Sequence, residues 1–174
     1  MLRPRRGSPL FAVLLLALLA LAAPHPANAA GGGGGDGATT TAKPEDPQYT
    51  AAVKAIKANE YAKAIPLLEG VVSREGSNAD AYNWLAYATR KNGDPTASLP
   101  LYQKALAIDP RHRGAHEYIG EAYLMLDNLP AAKEHLRTLS SLCFITCSEY
   151  RELKRAVEAY EKTGGKSKPT AASW

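Results

Sequence analysis

No apolar run in this chain is long enough to cross a bilayer. The longest, Leu10 to Ala23, covers about 14 residues against the roughly 20 that a spanning helix needs, and Pro24 and Pro26 follow it. No cysteine lies near Ala27-Asn28-Ala29, which excludes a lipid anchor at that place. What stands there instead reads as a secretory signal: Arg3, Arg5 and Arg6 precede the apolar run, and Ala27 and Ala29 occupy the two small-residue places that a signal peptidase reads. Residues 1–29 are therefore expected to be removed after Ala29, leaving no stable membrane anchor and placing the mature chain in a periplasm or outside the cell. The pair Arg5-Arg6 is followed by Gly7-Ser8-Pro9, which does not continue a twin-arginine signal.

An excess of charge is also missing. The whole chain carries 21 Lys and Arg against 17 Asp and Glu, +4, but three arginines and no acid lie in the leader, so the remainder has 18 against 17. Nothing left argues for nucleic acid or a membrane surface as a partner by charge. Residues 30–46, with Gly31 to Gly35 and a Thr- and Pro-rich stretch, have almost no apolar content, and neither does the tail 163–174. Both read as flexible segments that cannot bury enough surface to offset the entropy of ordering. Trp174 belongs to the tail. Residues 47–162 remain as one domain, long enough for a continuous core.

Within that domain three stretches match at an offset of about 34 residues. Ala51, Leu85 and Ile119 share a register, followed by the small residues Ala52, Ala86 and Gly120. Ala64, Ser98 and Ala132 form another set, then Leu68, Tyr102 and Leu136, then Val71, Ala105 and Leu139. Close helix packing requires this alternation, because a small side chain leaves the hole that a large one fills. The segment Ala79 to Pro110 resembles a tetratricopeptide (TPR) repeat: Tyr82 stands at the Trp place, Leu85-Ala86 at Leu-Gly, Tyr102 at the aromatic site, Ala105 at the late Ala and Pro110 at the closing Pro. The copy before it has Gln48 and Gly76 at the first and last of these places; the copy after it keeps Ile119-Gly120 and Tyr123 and has Cys143 where Asp-Pro would begin. The resemblance implies an all-α, right-handed α-solenoid of three helix-turn-helix repeats, about 45–78, 79–112 and 113–146.

The open end of such a stack needs a cover. Residues 147–162 suit a capping helix, with Tyr150, Leu153, Val157 and Tyr160 at helical spacing and Thr146 and Glu149 in a capping-box pattern. Seven helices are thus expected. Asn92-Gly93 and Asp127-Asn128 mark turns, and Asp94 with Pro95 marks a helix start. Pro66 and Pro100 recur at one register inside second helices, which places them near a first turn or on a solvent-facing stretch.

Cys143 and Cys147, four apart in a chain with an export signal, read as a structural disulfide that fixes a corner. The alternative is a thiol pair for a soft metal, with His135 beside it, or for redox work; the spacing is not Cys-x-x-Cys. His112 and His116 have a metal-compatible spacing but lack a third ligand nearby, and half-buried packing explains them better. The sequence shows no phosphate loop, no nucleophile elbow and no paired-carboxylate site. Neither a catalytic residue, a metal nor a cofactor is expected.

The TPR resemblance implies instead that the first helix of each repeat lines a groove for a protein or peptide. Carrying the family's contact registers over gives Tyr49, Val53 and Ile56 from the first copy, Asn83, Tyr87, Arg90 and Lys91 from the second, and Glu117, Glu121 and Leu124 from the third. These are expected to be exposed groove residues that contribute little to the fold. The chaperone-tail-binding members hold a carboxylate with Lys, Asn and Arg, and the matching places here are Tyr49, Val53, Trp84, Gly114 and Tyr118, so that specificity is absent.

Overall fold

A computed structural model describes residues 46–166 and 168–169. The expected leader, nearly all of the 30–46 segment and the last residues of the tail, Trp174 included, lie outside the described residues. Seven helices follow in order: α1 Pro47–Lys57, α2 Tyr61–Arg74, α3 Ala79–Lys91, α4 Pro95–Ile108, α5 Arg113–Met125, α6 Leu129–Leu142 and α7 Ser148–Lys162. Among the described residues there is no strand, and no helix is long and apolar enough to cross a membrane. The chain is an all-α solenoid of three helix pairs with α7 as a closing element.

Local chemistry sets most of the helix starts. Asp46, Asn78, Asp94 and Asn128 accept the amides of Gln48, Ala81, Ala97 and Ala131, so the first orphan donors of α1, α3, α4 and α6 are met by short polar side chains. Pro47 and Pro95 begin their helices where a missing N–H costs nothing. The turn within each pair needs one left-handed residue, and Asn59 (φ 60°), Gly93 (φ 103°) and Asp127 (φ 60°) supply it at the same register. Pro66 and Pro100 lie in the second turns of α2 and α4 and face solvent. Ala62 and Thr96, whose carbonyls lose their helical donors, are exposed as well, so water can replace the missing bond.

The repeated small positions are closed completely: Ala52, Ala86, Ala64, Ser98 and Ala105 are fully buried, as is the large Tyr102. Ala51 is exposed although its counterparts Leu85 and Ile119 are buried. Leu85 packs with Ala52, Ala64 and Leu68 of the preceding pair, and among the described residues no helix pair precedes α1 to receive Ala51. At the other end α7 packs against α5 and α6. Leu153, Ala156 and Val157 are buried there with Leu124 and Leu139, and Tyr150, Tyr160 and Leu136 are partly buried around them. The capping-box expectation needs correction. Cys147, not Thr146, is the N-cap of α7 and makes no side-chain cap bond, while Glu149 faces Arg113 Nε at 3.7 Å. Cys143 and Cys147 are joined as a disulfide with Cα atoms 5.7 Å apart. The loop they close presents Phe144 and Ile145 to solvent, 102% and 83% exposed.

Candidate functional site

The helix contacts define an inner face. α1 touches α3 and α3 touches α5, whereas α2, α4 and α6 do not touch one another among the described residues. The first helices therefore crowd together on the tightly curved side. Their side chains fall in rows across it: Tyr49, Asn83 and Glu117; Val53, Tyr87 and Glu121; Ile56, Arg90 and Leu124; with Lys91 beside Arg90.

The burial of these rows overturns their expected exposure. Ile56 is buried with Ala52, Ala55 and Leu68, and Leu124 is fully buried under α7. Asn83, Arg90, Lys91, Glu117 and Glu121 are buried too; Tyr49, Val53 and Tyr87 are half-buried. The reason is that neighbouring repeats and aromatic rings wall in the polar groups. Arg90 Nη2 lies 2.7 Å from Glu121 Oε2, and both side chains are almost wholly enclosed. That contact is an ion pair rather than an aligned hydrogen bond. Arg90 Nε donates to the Tyr102 hydroxyl at 3.4 Å and Nη1 to Met125 Sδ at 3.8 Å. Its guanidinium also sits 5.4 Å from the Tyr87 ring centre and 5.8 Å from that of Tyr118, a cation beside two adjoining rings.

Burial alone would lower the pKa of Arg90, but the fields of Tyr102 and Glu121 outweigh it and hold the group above its ordinary value. Burial raises the Glu121 carboxyl, with Arg90 and Lys91 opposing. Glu117 is pushed up to about 8, first by burial and then by Glu121, Glu149 and Glu152, with only Arg90 pulling the other way. Burial lowers Lys91, helped by Arg90; its ammonium lies 5.9 Å from the Tyr61 ring and 6.0 Å from that of Tyr87.

Sequence reasoning missed most of the rings. Tyr61–Tyr87 (6.2 Å), Trp84–Tyr87 (5.6 Å), Tyr87–Tyr118 (4.8 Å), Trp84–Tyr118 (6.5 Å) and Tyr102–Tyr118 (6.5 Å) form one connected aromatic network. The signal was available: Trp84 and Tyr118 stand 34 residues apart at one register, so two rings had to meet where α3 meets α5.

His112, His116 and His135 are occupied within the fold. His112 caps α5, accepting the Ala115 amide on Nδ1 at 3.1 Å, with Nε2 3.1 Å from Asp80 Oδ1. His116 Nε2 lies 3.1 Å from the Pro110 carbonyl and must donate to it, which leaves Nδ1 to accept from His135 Nδ1 at 2.9 Å. Burial and His116 bring His135 down to about 4, and Tyr123 stacks on it. His135 thus turns to His116, and the two sulfurs turn to each other. Among the described residues no group of three or more His, Cys, Asp or Glu is arranged to hold a metal. A cleft of about 450 Å³ between α6 and α7 is mixed in charge, and its Lys133–Glu161, Arg137–Glu134 and Lys154–Glu158 pairs satisfy one another.

Two family profiles described as tetratricopeptide repeat match residues 49–112 and 89–142, together more than half of the chain. The chain belongs to the tetratricopeptide repeat family. It is 31% identical over 90 residues to Tetratricopeptide repeat protein 1 of Schizosaccharomyces pombe, an alignment covering 48% of this chain and only 9% of that protein. In fold it is similar to the P58(IPK) TPR domain, with a TM-score of 0.59 at 19% identity over 67% of this chain and 32% of that one. TPR domains generally bind protein or peptide partners and are typically scaffolds rather than enzymes, so the described domain is a protein–protein interaction module.

Proposed function

We propose that this TPR domain holds an extended peptide or protein segment along the inner face of α1, α3 and α5, performs no catalysis, and acts outside the cytoplasm. The observation that carries the reading is the aromatic network on that face. Its members on α3 and α5, Trp84, Tyr87 and Tyr118, are half-buried and stand beside buried polar groups. Large rings anchored from below lose little conformational entropy on binding, and an amphipathic edge next to polar partners suits a peptide backbone. Export is supported by the leader sequence and by the disulfide, which persists in oxidising compartments.

Capture from the exported fraction by the mature domain, compared with Tyr87→Ala, tests the function. A partner retained by the native protein and lost by a stably folded variant supports the inner face; equal retention by both rejects it. The intact mass of protein from its native compartment tests the location, since removal of residues 1–29 is expected.

A further inference from the structure

We propose that the partner segment is recognised through a lysine, whose ammonium group lodges between the Asn83 side-chain oxygen and the Glu117 carboxyl. The proposal rests on the reading that the inner face holds an extended segment, and adds the chemistry of that segment.

One buried acceptor without a donor and one carboxyl without a counter-charge define the place. Asn83 is 4% exposed and its Oδ1 is buried with no hydrogen-bond partner. Glu117 is 9% exposed, and no hydrogen bond or ion pair reaches its carboxyl among the described residues. Native interiors rarely leave an atom such as Asn83 Oδ1 unmet, because burial without a donor forfeits the hydrogen bond that water would supply. The two residues occupy one register on α3 and α5, helices that touch. Asn83 Nδ2 lies 3.5 Å from the point where a Cβ on Gly114 would stand. The amide is therefore laid against the first turn of α5, one helical turn before Glu117, where a glycine leaves it room.

The charges around Glu117 point to a missing cation. Glu121 has Arg90 at 2.7 Å, Glu149 has Arg113 at 3.7 Å, and Glu152 is paired with Arg155. Glu117 stands among these three acids and alone has no such partner. A peptide N–H could meet Asn83 Oδ1 but would bring no charge to Glu117. A guanidinium brings charge on a broad planar fork, whereas an ammonium brings three donors on a slender stem, which suits an opening that leaves 9% of Glu117 accessible. The aromatic rings beside this row offer the apolar contact that a four-carbon stem can use.

In the free protein Glu117, pushed up to about 8, is mostly protonated at neutral pH, which spares the fold an unpaired buried charge. Binding exchanges one cation for another: the carboxyl releases its proton to solvent, and the lysine ammonium takes the place of that proton beside the carboxylate. The pocket keeps its net charge throughout.

The probe is a phage-displayed library of random nonapeptides, selected at pH 7.5 on the folded mature protein. The expected result is a set of peptides sharing one lysine. A selected peptide with that lysine changed to norleucine should bind at least tenfold more weakly, equivalent to about 1.4 kcal/mol. Glu117→Gln, close to isosteric with the protonated acid, should bind the two peptides alike. Selected peptides with no common lysine, an arginine version that binds as well as the lysine one, or undiminished discrimination by Glu117→Gln would each overturn the lysine site while leaving the inner face as the binding surface. Failure to select any peptide would remove both. Should Glu117→Gln fold poorly, the norleucine and arginine comparisons on the native protein decide alone.

Discussion

Arg90 and Leu124 occupy the same place in successive repeats, the last turn of α3 and of α5, and both are fully buried, yet one is a cation and the other a hydrocarbon. Arg90 looks toward another inner-face helix, and α5 supplies Glu121, Tyr118 and Met125 to receive it. Leu124 looks toward the closing helix, and α7 supplies Leu153, Ala156 and Val157. The register fixes that the position is enclosed; the neighbour decides what must fill it. An interior repeat junction can be polar because its groups meet across the helices, whereas the end of the stack is sealed with aliphatic side chains. This division also locates the face on which partners can compete for polar groups.

The sharpest way to break the comparison is to remove a charge. Arg90→Ala should destabilise the domain by about 3–5 kcal/mol in urea unfolding, because it leaves Glu121 buried without its cation. Replacing both partners, Arg90→Met with Glu121→Leu, should return stability to within about 1 kcal/mol of native, since apolar groups of similar volume often match a buried ion pair. A native-like midpoint for Arg90→Ala would show that the junction is open to water. At the other junction Leu153→Ala should cost about 2–5 kcal/mol through the cavity alone, and no second substitution of opposite charge should restore it.

A smaller effect is read by pH. Glu117 titrates near 8 in the folded state against an ordinary 4.5, so the folded protein binds the extra proton and stability falls as pH rises through that window. His135, brought down to about 4 from 6.5 by burial and the facing His116, with Tyr123 stacked on it, has the opposite sign: stability falls as pH drops from 6.5 toward 4. The two slopes oppose one another between about 4.5 and 6.5. Above pH 6.5 the Glu117 slope continues, at most about 1.4 kcal/mol per unit, and its own contribution is a loss of about 2 kcal/mol by pH 8. Glu117→Gln should abolish that loss and His135→Leu the one at low pH, both measured by urea midpoints across pH. An unchanged profile in Glu117→Gln would show that its carboxyl is solvated.

Most of the fold was legible because a period of about 34 residues carries both burial and turn information. Leu68, Tyr102, Val71, Ala105 and Leu139 are buried where the pattern put them, and Gly93 and Asp127 turn where punctuation said. The inner face was legible as a set of positions but not as an environment. Sequence spacing places Arg90, Glu117 and Glu121 on one side of their helices, yet it does not reveal that the next repeat and the Tyr87 and Tyr118 rings enclose them. Leu124 was misplaced for the same reason, since the closing helix comes from residues 148–162, outside the repeat. Thr146 failed as a cap because the disulfide corner makes Cys147 the last non-helical residue.

The smallest expected effect tests how tightly the aliphatic junction is sealed. A Cβ built on Gly120 would meet Leu153 Cδ2 at 2.6 Å and Cδ1 at 2.8 Å, so α7 approaches α5 as closely as a missing side chain permits. Gly120→Ala has two opposed consequences. Helix propensity improves by up to about 1 kcal/mol, because alanine loses less backbone freedom. Overpacking costs about 1–3 kcal/mol, and Leu153 is fully buried with little room to withdraw. The net should be a loss of about 1 kcal/mol. Introduced into Leu153→Ala, the same change should become favourable, because the clashing atoms are gone and the new methyl enters the cavity. A double-mutant cycle should therefore show coupling of about 1–2 kcal/mol. The corresponding Ala86→Gly at the interior junction should only destabilise, by losing propensity and a buried methyl. Additive effects of Gly120→Ala and Leu153→Ala would mean that α7 does not press on α5 at this point.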